Sequence, residues 1–232
     1  MTRCFILLLA LCFFTTAHAE KTPVRTCRIL FLNGPDSAPD TLHLFDGTRS
    51  QEVDLPRMNL SKIYELPSGP LTLRLLGKPI ADPKDLPPNA PSAIVAETML
   101  DLYLLVTSDP ANTTAPVRVQ VISANADQLK AGQMLWFNLT EHDIGGTVGS
   151  QKLVLRAQSR QVMEAPARQS EGYAVNLNYR RAGNDSLYPL CETQWQHDPR
   201  SRSLAFVMVE AAARTPRILV FPDYREAPKE EP

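Results

Sequence analysis

The chain has 232 residues, with 24 Lys and Arg against 25 Asp and Glu and a net charge of −1. That balance, with no basic stripe, argues against polyanion binding as the main activity, so no nucleic-acid partner is expected. Twenty prolines against ten glycines favour short strands and stiff connections over long helices.

At the start of the chain, Arg3 precedes an apolar run from Cys4 to Phe14, and Ala17 and Ala19 supply the small residues of a cleavage site before Glu20. Residues 1–19 are therefore expected to be a cleaved signal peptide, and the protein to be exported, periplasmic or extracellular. The apolar run is too short to cross a bilayer, and no later segment is both apolar and long enough, so no membrane span is expected. The 213 residues from Glu20 onward suit one large domain or two small ones.

Strand signals then follow in close succession. Residues 29–33 form an apolar run closed by asparagine. Residues 41–45 alternate and lead into Asp46-Gly47, a hairpin turn, from which 51–55 return. Residues 63–66 meet the turn Pro67-Ser68-Gly69-Pro70, after which Leu71, Leu73 and Leu75 share one face of a strand. The proline-rich stretch 79–91 reads as an extended surface connection. Strands are expected again from Tyr103, after Pro116, and over 134–138, 152–156, 173–179, 203–209 and 217–221, with a short helical turn at 126–132. The charged tail 227–232 is expected to be disordered.

Several of these signals recur at an offset of about 100 to 105 residues, as a repeat architecture would require. Residues 29–33 correspond to 134–138, the strand at Tyr103 to the one at Ala205, and Gln51-Glu-Val-Asp-Leu to Gln161-Val-Met-Glu-Ala. The fold expected is all-β: two tandem immunoglobulin-like antiparallel β-sandwiches, one over 20–124 and one over 125–226.

The elements Asn33-Gly-Pro-Asp-Ser-Ala-Pro39, Leu42-His-Leu-Phe-Asp-Gly47 and Tyr64-Glu-Leu-Pro-Ser-Gly69, ahead of the Leu71, Leu73, Leu75 strand, resemble a bacterial family of secreted immunoglobulin-like modules of unassigned function. The resemblance covers residues 29–75 and lies mostly in turn chemistry. It departs from the family at Asn33-Gly34, and the second half lacks both the Pro-Asp-x-Ala-Pro and the Asp-Gly elements. It implies a fold and no catalytic residue.

Candidate chemistry is sparse. Cys27 and Cys191, the cysteines left after the signal, either bridge the two ends of the chain or stand as reduced thiols. Cys191, Glu192, His197 and Asp198 are metal-ligand types within eight residues, but no Cys-x-x-Cys or His-x-x-x-His accompanies them, and a surface loop with a buried Trp195 is the plainer account. His142-Asp143 lacks a nucleophile elbow, His43 is expected to face solvent, and Gly145-Gly146-Thr-Val-Gly149 reads as a turn. Trp136, Phe137, Tyr173 and Trp195 are expected in the core rather than on a carbohydrate-stacking surface. The Asn-x-Ser/Thr sites at Asn59, Asn112, Asn138 and Asn184 are read as unmodified.

The chain is thus expected to be a non-enzymatic binding or structural module of the bacterial envelope, with no cofactor and with an envelope protein or polymer as partner. The alternatives are a secreted hydrolase or metal-dependent enzyme using the 191–198 loop, and a periplasmic assembly or chaperone-like factor that pairs an edge strand with its client.

Overall fold

A computed structural model describes residues 24–181, 183, 186–210, 213 and 215–225. The expected signal peptide at 1–19 and tail at 227–232 lie outside the described residues. The first half contains β1 (Arg25–Phe31), β2 (Thr41–Phe45), β3 (Ser50–Asp54), β4 (Tyr64–Leu66), β5 (Leu71–Leu76), β6 (Ser92–Val95), β7 (Asp101–Ser108) and β8 (Val117–Ser123). The second contains β9 (Met134–Asn138), β10 (Asp143–Val148), β11 (Gln151–Leu155), β12 (Arg160–Met163), β13 (Gly172–Arg180), β14 (Leu187–Gln196), β15 (Ser201–Met208) and β16 (Arg217–Tyr224).

These strands form four sheets of four, ordered β3-β2-β5-β6, β4-β1-β7-β8, β12-β9-β15-β16 and β11-β10-β13-β14. The second pair repeats the strand order of the first with every strand number raised by eight. The architecture is all-β, as the alternating pattern predicts. Pairing is not purely antiparallel, however: β1 runs parallel to β7, and β9 runs parallel to β15. Each parallel pair is joined through the facing sheet, because parallel neighbours cannot be linked by a tight turn.

Three apolar layers hold the four sheets together. Ile29, Phe31, Leu44, Leu73, Leu75, Leu104 and their neighbours fill the first sandwich. Trp136, Ile144, Leu153, Leu177 and Val207 belong to the core of the second. A third layer joins the sandwiches back to back: Leu30, Leu32, Tyr103 and Leu105 meet Leu135, Phe137, Leu204 and Phe206. The central strands β1, β7, β9 and β15 are therefore covered on both faces, which explains their unbroken apolar runs. Phe137 stacks on Phe206 at 5.0 Å in this middle layer.

The match of 29–33 to 134–138 is in phase. Ile29 and Phe31 face one core, Met134 and Trp136 face the other, and the residues between them face the middle layer. The other two markers are not. Tyr103 faces the middle layer whereas Ala205 faces the core, a one-residue slip that reverses every side chain. By strand order, Gln51 to Asp54 on β3 corresponds to β11 rather than to Gln161 on β12.

Turn chemistry follows the sequence closely. In the β2–β3 hairpin Gly47 takes a left-handed φ of 97°, and Asp46 Oδ1 accepts from the Thr48 and Arg49 amides, both at 2.9 Å. The proline-rich connection holds one turn of 3-10 helix, Pro83–Asp85, capped by Asp82. At 126–132 the helical turn is a single one, closed by Leu129 N–H donating to Asn125 O at 2.9 Å.

Gly145 and Gly146 lie inside β10 rather than in a turn. A Cβ on Gly146 would stand 2.0 Å from the Asn176 carbonyl oxygen, so a glycine is needed for β13 to pair this closely.

Among the described residues Cys27 and Cys191 are free thiols and sit in different sandwiches. Cys27 is fully buried in the first core, and Cys191 is half-buried against the second. Burial pushes the Cys27 thiol up to about 12 and raises that of Cys191. Alkylation of the native protein is expected to label Cys191 slowly and Cys27 only after unfolding. A Cys27–Cys191 peptide in a non-reducing digest would contradict the free-thiol arrangement.

Candidate functional site

In the first sandwich the edges β6 and β8 approach each other closely enough that Val95 and Val117 are fully buried. The corresponding edge of the second sandwich is open. No residue of β14 is fully buried, and Ile218 and Val220 of β16 are only partly covered. A bulge contributes to this. Leu177 pairs with Cys191 and Asn178 with Pro189, leaving Leu190 as the extra residue, and an extra residue bends its strand and increases the local twist.

A cleft of about 630 Å³ opens at this edge. Tyr173 of β13 and Trp195 of β14 form a direct cross-strand pair on one wall. Their rings meet edge to face at 6.3 Å, and Trp195 stacks on the fully buried Trp136 at 6.1 Å. The Tyr173 hydroxyl approaches Met134 Sδ at 3.9 Å, and burial pushes its phenol up to about 12, so it remains a donor at neutral pH. Ile218, Val220 and Pro222 of β16 form the opposite wall.

His197 lies just beyond β14, where its amide donates to Glu171 O at 2.9 Å and continues the ladder. Its side chain is only 6% exposed and lines the cleft, packed edge to face on Tyr173. Gly132 lies beside the ring, and its φ of +82°, rather than any lack of room for a Cβ, is what favours glycine there. Nε2 of His197 is buried without a hydrogen-bond partner, as is Nε1 of Trp136. An unmade hydrogen bond at a buried imidazole costs about 1 to 3 kcal/mol, which a ligand group reaching Nε2 would recover.

Around these rings the polar lining is neutral, with Gln194, Gln196, Ser201 and Ser203. The one lining carboxylate, Asp198, is engaged. Arg200 donates to it from Nε at 3.1 Å and from Nη2 at 2.8 Å, and these hydrogen bonds hold it well below the usual range, at about 2.

The metal-ligand types of this stretch are dispersed. Most of it is strand rather than loop, with Cys191 packed toward the core and Glu192 exposed. Six extended steps along the chain separate Cys191 from His197 by roughly 20 Å. Among the described residues no group of three His, Cys, Asp or Glu stands close enough to hold a metal ion. His142 stacks on Tyr179 at 5.3 Å, and Asp143 accepts from the Ala157 amide at 3.0 Å, so the pair forms no dyad. His43 is half-buried on β2. Trp136 and Phe137 are buried as expected, whereas Tyr173 and Trp195 are cleft walls.

Sequence reasoning missed a second polar constellation, at the junction of the sandwiches. Asp223 Oδ2 accepts from the Tyr103 hydroxyl at 2.6 Å, Arg225 Nε at 2.9 Å and Arg202 Nε at 3.0 Å, while Oδ1 accepts from Arg28. Arg202 also donates to Asp101 and to the carbonyls of Ala124 and Leu129, tying both sandwiches to the segment between them. No protein-family model matches the chain, and no curated protein matches it.

Proposed function

We propose that this protein is a non-enzymatic binding module of the bacterial envelope, exported by its first 19 residues, whose ligand enters the open edge of the second sandwich. The observation that carries this reading is His197 Nε2, buried and unpartnered in a cleft walled by Tyr173 and Trp195. Neutral amides and hydroxyls beside aromatic rings suit a neutral, hydroxyl-bearing ring compound, and saccharides are the class that combines an apolar face with hydroxyl groups. Catalysis has less support, because no hydroxyl or thiol bonds His197 Nε2 to make a nucleophile and base pair. We also infer that the halves are tandem copies of one unit, on the identity of their strand orders.

At the open edge of the second sandwich, strand addition by a client is disfavoured by Pro189 of β14 and Pro222 of β16. A saturation-transfer NMR screen of neutral oligosaccharides, including bacterial wall fragments, tests the main reading, followed by calorimetric titration. Trp195→Ala and His197→Ala are each expected to weaken a bound saccharide at least tenfold without unfolding the protein. Saccharides that bind both variants as well as the parent, or a screen with no saccharide bound, would overturn it.

A further inference from the structure

A trough of about 1050 Å³ lies at the junction of the two sandwiches and shares only Tyr224 and the Asp198–Arg200 neighbourhood with the His197 cleft. Its rim gathers four exposed large hydrophobic side chains: Val24 at 57%, Tyr224 at 54%, Ile63 at 45% and Leu100 at 41%. Apolar side chains exposed singly are ordinary, but a contiguous set around one concavity marks a binding surface. Leu129, Ala126 and Ala131 continue the apolar lining along the connecting segment.

The charge of this lining decides what kind of apolar ligand it suits. Lys130, Arg200, Arg202 and Arg225 stand against Asp101, Asp127 and Asp223. Just outside the trough, Arg28 pairs with Asp223 and Asp198 pairs with Arg200, and these two additions cancel. One positive charge is therefore left uncompensated among the described residues, beside the apolar rim. Arg225 is partly exposed at this floor. Its Nη2 is buried 3.0 Å from Asp101 Oδ1 and its Nε donates to Asp223, so the surplus charge belongs to the cluster as a whole, three guanidiniums (Arg28, Arg202, Arg225) against two carboxylates (Asp101, Asp223). A single negative charge on an apolar chain complements both properties, with a carboxylate at the guanidinium floor and methylenes along Leu100 and Ile63.

We propose that this trough binds a free single-chain carboxylate amphiphile of the fatty-acid class, one molecule per chain. The test is calorimetric titration of the protein lacking residues 1–19 with octanoate, decanoate and dodecanoate, each below its micelle concentration. Binding is expected to saturate at one site and to strengthen roughly tenfold for each added pair of methylenes. Ile63→Glu and Leu100→Glu, both at exposed positions outside strands, are expected to weaken dodecanoate at least tenfold while leaving the melting temperature unchanged. Dodecyltrimethylammonium and dodecyl maltoside are expected to bind at least tenfold more weakly than dodecanoate.

Equal binding of the cationic or neutral amphiphile, or affinity that does not change with chain length, would overturn the assignment. So would binding only to anionic phospholipid vesicles. Saturation seen only after deletion of residues 226–232 would identify the acidic end of the chain as the occupant, and would overturn it equally.

Discussion

Asp223→Asn is expected to lower the stability by about 3 to 5 kcal/mol, the usual cost of removing one partner from a buried ion cluster, and the melting temperature by on the order of 10 °C. The Asp223 side chain is fully buried and receives Arg28, Arg202, Arg225 and Tyr103, so the amide would leave three guanidiniums without their shared counter-charge. Burial alone pushes this carboxyl up, but Arg225, the Tyr103 hydroxyl and Arg202 together outweigh it and hold the group at about 2. Burial and the Asp223 charge raise the Tyr103 phenol, which therefore stays a donor.

A carboxyl depressed in the folded state contributes its stability fully above the unfolded value near 4, and loses it as the pH falls through about 2. This contribution is about 2 kcal/mol. Denaturant titrations at pH 7, 4 and 2.5 are expected to show parent and Asp223→Asn far apart at pH 7 and converging in acid. A constant gap across that range would mean that Asp223 titrates alike in the folded and unfolded protein, so that the cluster does not depress it.

Trp136→Ala is expected to cost about 3 to 5 kcal/mol, a large share of an ordinary domain's stability. The indole is fully buried at the centre of the second sandwich and is the plate on which Trp195 stacks. Trp136→Phe is expected to cost only about 1 kcal/mol, because it keeps a ring and removes the unpartnered buried N–H. Thermal melts distinguish the two, and near-ultraviolet circular dichroism reports the indole pair. Equal losses for alanine and phenylalanine would show that the ring itself contributes little.

The all-β fold was legible because period-two alternation and turn residues such as Asp46-Gly47 are local signals. Four strands, β6, β10, β12 and β14, were not expected, three of them for identifiable reasons. β6 is short and exposes Ile94, β10 carries a glycine pair, and β14 is an edge strand whose polar outer positions read as a loop. The cleft was only half legible. Tyr173, Trp195 and His197 were all singled out, but that Tyr173 stands opposite Trp195 is set by a strand register that sequence does not encode directly.

The ion cluster did leave a signal. Arg28, Tyr103, Arg202 and Asp223 each lie two positions from an apolar residue facing the middle layer, namely Leu30, Leu105, Leu204 and Phe221. A charge at that phase is buried unless the strand ends before it. Recognising the phase required knowing that these strands have two covered faces, which only the packing of the four sheets reveals.

The shared middle layer also bears on how the chain can be divided. Excision of either sandwich would uncover Leu30, Leu32, Leu105 and Ile122 on one fragment, or Leu135, Phe137, Leu204 and Phe206 on the other, and would split the Asp223 cluster. Separately expressed halves are therefore expected to aggregate or reassociate. Whatever the molecule holds at its two clefts, the sandwiches that carry them share the apolar layer of Leu30, Leu105, Leu135 and Phe206.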